Sequence, residues 1–233
     1  MNLVQECADF VCRSLQDVEP GHDWGHVSRV RKIAHYIAEK EGGANILVVE
    51  LAALLHDMND WKFNRDLMQS NSKTAREWLK HKAEQDVIDH VCSIIDHVSF
   101  KGSHVPDSVV SKEGQIVQDA DRLDALGAIG IARAFSYGGH KKQEMFNPDL
   151  APNKHESFDE YRRARTTTVN HFHEKLFLLK ERMHTQTARQ IAEERHRYME
   201  RFLAQFMCEW DATDLELNIS RLQARDVQSL GNE

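Results

Sequence analysis

Proline occurs at only four positions, 20, 106, 148 and 152. Most of the 233 residues therefore lie in long stretches free of the side chain that removes a backbone donor and breaks helices. Through those stretches apolar residues recur with a period near that of an α-helix. Val27, Val30, Ile33, Ala34 and Ile37 share one face, and Val48, Leu51, Ala52 and Leu55 share another. Val87, Ile88, Val91, Ile94, Ile95 and Val98 make a third, and Ile191, Ala192, Met199, Phe202, Leu203 and Phe206 a long late one. Ile116, Val117, Ala120, Leu123 and Leu126 open a helix predicted to run on toward Phe135. No alternating pattern bounded by hairpin turns occurs, so the predicted fold class is all-α.

Start and stop signals agree. Asp23 is placed to cap the helix that carries His26, and Ser157-x-x-Glu160 has the form of a capping box. Thr187-x-x-Gln190 does too, or an equivalent start at Thr185. Gly42-Gly43 and Gly138-Gly139 read as helix ends. Residues 136–156 read as one long irregular connection, of the kind that is often functional. The expectation is one helical domain over residues 1–210. Its core motifs lie at 20–130, its C-terminal helices at 156–207 pack on them, and a weakly packed tail follows over 211–233.

Composition excludes several classes. Charged residues make up 29% and hydrophobic ones 41%, as in an ordinary globular chain. No run of about 18 apolar residues exists, so no spanning helix is expected. The first residues lack a basic and then apolar leader, and a cytoplasmic location is expected. Cys7, Cys12, Cys92 and Cys208 form no CxxC pair and read as buried thiols of a reducing compartment. A net charge of −7 argues against duplex nucleic acid as a partner, while leaving room for a basic pocket that takes a small phosphate compound.

Fourteen histidines invite a metal reading, and four residues sharpen it. His26 lies in His22-Asp23-Trp24-Gly25-His26-Val27-x-Arg29-Val30. His56 and Asp57 follow the apolar run that ends in Leu54-Leu55, and Asp121 lies in Asp119-Ala120-Asp121-Arg122-Leu123-Asp124-Ala125-Leu126-Gly127. Polar groups at the end of a buried stretch cost about 1–3 kcal/mol each when unsatisfied, and a carboxylate costs more. A divalent cation would satisfy them. Asp57, Asp60, Asp119, Asp121 and Asp124 are expected to gather where that cation sits.

Taken together, these segments resemble the HD-domain superfamily of metal-dependent phosphohydrolases. The likeness carries on through His171-Phe172-His173-Glu174-Lys175-Leu176 and the helix near Glu194-Arg195-His196, so it covers most of the chain. It implies an HD-type helical bundle and one ion held by His26, His56, Asp57 and Asp121. It also implies a small-molecule nucleotide substrate. The small stand-alone bacterial members that the Asp119–Gly130 run resembles include enzymes that cleave (deoxy)nucleoside triphosphates to the monophosphate and pyrophosphate. Nucleotide monophosphatase or phosphodiesterase chemistry on the same fold is the alternative, as is a non-catalytic metal- or nucleotide-binding module. A membrane is not an expected partner, and a homodimer is compatible with the reading.

Two imidazoles and two carboxylates suit Mn²⁺, Fe²⁺, Co²⁺, Ni²⁺ or Zn²⁺, with Mg²⁺ less natural for imidazole. Such an ion activates water near neutral pH. Asp60, three residues after Asp57 and four after His56, falls on the same helical face and is the candidate general acid/base; a helix-capping carboxylate is the other reading. Arg29 and Lys62 are grouped with it at the reacting centre. Lys101, Arg122, His171 and Lys175 are the candidate phosphate contacts. His22 and Asp23 are candidates to orient His26. His97 is the natural candidate for a second ion, with His90 or His104 as its further partner, although one metal is the favoured reading.

Overall fold

A computed structural model of the chain describes residues 2–15, 23–58, 72–98, 108–153 and 166–215. Among them are nine α-helices, one 3₁₀ segment and no strand. Helix α3 (Ile46–Leu55) explains the arrangement of the rest. Asn45 caps it by accepting from the Leu47 and Val48 amides, and Val48, Val49 and every residue from Leu51 to Leu55 are buried. A helix apolar on all sides must be surrounded. It is packed by α1 (Leu3–Ser14), α2 (Trp24–Glu41), α5 (Gln85–Val98) and α6 (Lys112–Asp124). Its C-terminal end thus delivers His56 and Asp57 into the interior.

Helix α2 starts where expected. Asp23 Oδ1 accepts from the His26 amide at 2.9 Å, and Gly42, at φ 61°, ends the helix with its N–H on the Ala38 carbonyl. Val27, Val30, Ala34 and Ile37 are buried, and α2 lies along both α3 and α6. The short α4 (Lys73–Leu79) packs on α5.

The predicted single helix from Ile116 toward Phe135 is corrected: α6 stops at Asp124, and α7 (Gly127–His140) begins after a two-residue break. Gly127 adopts φ +74°, which other residues rarely take, so the chain turns there. A Cβ on Gly130 would stand 2.2 Å from the Ala125 carbonyl oxygen, so glycine also permits the close approach across the turn. Helix α7 runs on through Gly138-Gly139 to His140. Residues 141–153 are irregular, but tied. The Thr168 and Val169 amides donate to the Glu144 and Met145 carbonyls at 3.0 and 2.9 Å. Helix α8 (Thr168–Glu174), the 3₁₀ segment Leu176–Arg182 and α9 (Gln186–Trp210) complete the described chain. Thr185, not Thr187, caps α9, with its hydroxyl accepting from the Ala188 amide.

Asp119 also departs from expectation. Rather than joining the other acids, it is fully buried and accepts from the His184 amide and from both the amide and hydroxyl of Thr185, at 2.8–2.9 Å. It fastens the start of α9 to α6. One apolar core runs from Val4 to Leu203. No helix among the described residues is long and apolar enough to cross a membrane.

Candidate metal centre

The centre forms where α2, α6 and the end of α3 meet. His26 is on the first turn of α2, His56 caps α3 and Asp57 follows it; they are 1%, 5% and 8% exposed. Asp121 arrives from the last turn of α6. His26 Nε2 lies 3.3 Å from Asp57 Oδ2 and 3.4 Å from Asp121 Oδ1. His56 Nε2 lies 3.5 Å from Asp57 Oδ1 and 3.8 Å from Asp121 Oδ1. Donor atoms bound to one ion at about 2.0–2.2 Å stand about 3–4 Å from one another, so these separations suit a shared cation.

Hydrogen bonding aims both rings. The His56 Nδ1–H donates to the Ala53 carbonyl at 2.9 Å, which leaves the lone pair on Nε2. That buried Nε2 has no hydrogen-bond partner among the described residues. An orphaned nitrogen of this kind costs about 1–3 kcal/mol, and a divalent ion is the chemistry that relieves it. His26 Nδ1 sits 2.7 Å from Asp124 Oδ2. An ionised carboxylate only accepts, so Nδ1 carries the hydrogen and Nε2 faces the cluster. The residues fit a divalent cation on these grounds: three buried donors of borderline and hard type, from His26, His56 and Asp57, converge with one of them orphaned, and Asp121 stands at their open edge.

Charge follows from the same contacts. Burial disfavours the His26 imidazolium, but the Asp124 and Asp57 carboxylates outweigh it and lift the pKa to about 9. Burial alone would raise the Asp124 carboxyl; its bonds from His26 and Arg29, with the Arg133 charge, hold it well below the usual range. The Asp121 side chain, 30% exposed against 11% for Asp57, forms the open edge of the cluster.

The other candidates fall in varied places. Arg29 makes a fork on Asp124, Nε to Oδ1 at 2.6 Å and its second guanidinium nitrogen to Oδ2 at 3.0 Å. Arg122 points away from the cluster: it is 4% exposed and donates to the Arg182 carbonyl. Neighbours on a helix diverge by about 100°, so the side chain beside Asp121 meets the C-terminal segment. His171 lies on α8 and Lys175 at its end. Asp23 caps α2 rather than touching the His26 ring. His97 is exposed with Nδ1–H on the Ser93 carbonyl at 2.7 Å, and His90 lies 3.6 Å from Glu113. Asp60, Lys62, Lys101, His22, His104 and the Ser157–Glu160 capping box lie outside the described residues.

The sequence reading placed Asp124 among the acids of the cluster but not as the anchor of His26, and it missed Arg133, the further partner of Asp124 at 2.7 Å. Asp124 carried a signal, since it follows Asp121 by three residues and shares its helical face. Arg133 carried none, lying beyond the helix break.

Comparison with known proteins agrees with this geometry. The HD domain matches residues 23–126, a span that holds all four cluster residues and Asp124. A protein from Bacillus subtilis strain 168, YpgQ, is 38% identical over 217 residues, covering 93% of this chain and 98% of its own. The chain belongs to the HD-domain superfamily of metal-dependent hydrolases. Among solved structures, a Lactobacillus plantarum protein is 38% identical with a TM-score of 0.77, over 90% of this chain and 97% of that one. An HD-superfamily hydrolase from Bacillus thuringiensis is 42% identical with a TM-score of 0.70, over the same shares. YpgQ in complex with ADP is 37% identical with a TM-score of 0.68, over 87% of this chain and 97% of YpgQ.

Proposed function

We propose that this protein is a metal-dependent nucleotide phosphohydrolase that cleaves (deoxy)nucleoside triphosphates to the monophosphate and pyrophosphate. The observation that carries the reading is the orphaned His56 Nε2, facing Asp57 and Asp121 beside His26 Nε2. A nucleotide as substrate is supported by the ADP complex of YpgQ, alike over most of its length. The charges beside the cluster support a phosphate. Arg29 and Arg133 both donate to Asp124, and with a divalent ion bound their positive charge together with the ion's would exceed that of Asp57, Asp121 and Asp124 combined. Such a surplus favours a polyanion.

When bound, a divalent ion lowers the pKa of water and offsets negative charge on a phosphoryl group. Which of Mn²⁺, Fe²⁺, Co²⁺, Ni²⁺, Zn²⁺ or Mg²⁺ serves is a matter for loading experiments. His26, His56, Asp57 and Asp121 hold it. Arg29 keeps the His26 anchor in place and spreads positive charge toward the substrate, and the exposed edge at Asp121 is the side of approach. Asp60 holds or delivers the proton, with Lys62, Lys101, His171 and Lys175 as further phosphate contacts. The four cysteines are unpaired thiols, which supports a cytoplasmic, reducing location.

The test is turnover of Mn²⁺- or Co²⁺-loaded protein on a panel of nucleoside and deoxynucleoside tri-, di- and monophosphates, with pyrophosphate separated from orthophosphate. Pyrophosphate from triphosphates is expected. Asp57→Ala should lose the metal, while Asp60→Asn should keep it and slow turnover about 10²–10⁴-fold. Orthophosphate alone would move the assignment to monophosphatase chemistry, and a metal-loaded protein inert on the whole panel would overturn the enzyme reading.

A further inference from the structure

The two imidazoles of the centre are anchored by different means. His56 rests on a backbone carbonyl three residues back in its own helix, a support no side-chain change removes. His26 rests on a carboxylate 98 positions away, at the last residue of α6. Asp124 is 1% exposed, and its two oxygens accept four bonds. Oδ2 takes the His26 Nδ1–H, one Arg29 nitrogen and one Arg133 nitrogen at 2.7, 3.0 and 2.7 Å, and Oδ1 takes Arg29 Nε at 2.6 Å. A single imidazole would have satisfied part of this carboxylate. The two guanidiniums do something further: the Arg29 fork sets the plane of the carboxylate, and Arg133 reaches it from across the α6–α7 turn.

We infer that Asp124, clamped by Arg29 and Arg133, is a positioning residue that holds His26 with Nε2 directed at the metal centre. The inference rests on the metal centre proposed above, and it assigns the α6–α7 turn a task in building that centre. The packing of α2 on α6 does not depend on the clamp, because Val27, Val30, Ile116, Val117, Ala120 and Leu123 are buried there independently. Loss of the clamp should therefore loosen the ligand and lower stability, while the apolar packing of α2 on α6 keeps the chain folded. Outer partners of metal-bound histidines commonly contribute about 10–100-fold to metal affinity.

The experiment titrates Co²⁺ into the full chain, following heat and the visible absorption of the bound ion, with unfolding of the metal-free protein recorded in parallel. Asp124→Asn should bind Co²⁺ about 10–100-fold more weakly and shift the absorption band, while the metal-free protein stays folded but less stable, because His26, Arg29 and Arg133 lose their carboxylate partner. Arg133→Gln should weaken binding in the same direction by less. A folded Asp124→Asn protein with the parent's affinity and spectrum overturns the inference. Should that variant fail to fold, Arg133→Gln decides, and unchanged affinity and spectrum there overturn it. A parent that takes up no Co²⁺ overturns it together with the metal centre. A parent that binds Co²⁺ tightly, with both variants weakened, upholds it even if no nucleotide on the panel is hydrolysed, so the two readings fail separately.

Discussion

His26 and His171 show how neighbours decide what burial does to an imidazole. Beside Asp124 and Asp57 the first is pushed up to about 9. His171 is pushed down to about 3, by burial first and by the nearby Lys175 charge second. A histidine in the unfolded chain titrates near 6.5. As pH falls below that value the unfolded chain takes the proton first, so the stability contributed by neutral His171 is complete above about 6.5 and is lost toward pH 3. His26 works in the opposite sense, contributing below about 6.5 in the metal-free protein and losing that contribution as pH rises through about 9. His171→Gln should therefore flatten the fall in stability between pH 6.5 and 4.5. Urea midpoints of the metal-free parent and variant across that range check it, and parallel curves would sink the assignment. The residues of the cluster were readable because imidazoles and carboxylates at the end of apolar helical runs demand a partner. The direction of Arg122 was not, since a sequence names neighbours along the helix but not what stands opposite each face.

At the scale of elements, the C-terminal helix depends on a long-range cap. Asp119 takes three donors from His184 and Thr185, and the Thr185 hydroxyl in turn caps α9 through the Ala188 amide. Asp119→Ala would strand two buried donors on Thr185 and a partly buried one on His184 and weaken the cap, each stranded group costing about 1–3 kcal/mol where water cannot reach it. A loss near 3 kcal/mol is expected, a fall in Tm of about 6–12 °C for a domain of this size. Calorimetry checks the figure. Cleavage near Met183–Gln186 in limited proteolysis should increase, while Co²⁺ affinity of the folded protein stays within about threefold of the parent, since Asp119 touches none of the cluster. A melting point within about 2 °C of the parent would sink the cap's assigned role. The helices themselves were legible from apolar spacing and capping residues at Asp23, Gly42 and Thr185. The break after Asp124 was not, because Leu123 and Leu126 continue the helical spacing across it. Only the conformation of Gly127 and the crowding at Gly130 reveal the turn.

At the scale of the molecule, the centre ties together three segments that the chain alone holds far apart. His26 opens α2, His56 and Asp57 end α3, and Asp121 closes α6. A cation bound to all of them acts only on the folded state, because the unfolded chain presents no such set, so its binding free energy adds to stability. At a free concentration about 100 times Kd the gain is about 2.7 kcal/mol, or about 5–10 °C in Tm. Removing metal with a chelator should lower Tm by that amount, and adding Mn²⁺ or Co²⁺ should restore it. The response belongs to the whole assembly rather than to any one helix. Asp57→Ala should abolish it, and Asp124→Asn should need about 10–100 times more metal for the same gain. Scanning calorimetry over a metal series distinguishes these outcomes. Equal melting points with and without chelator, in protein shown to have carried metal, would mean that the ion sits outside the junction of α2, α3 and α6.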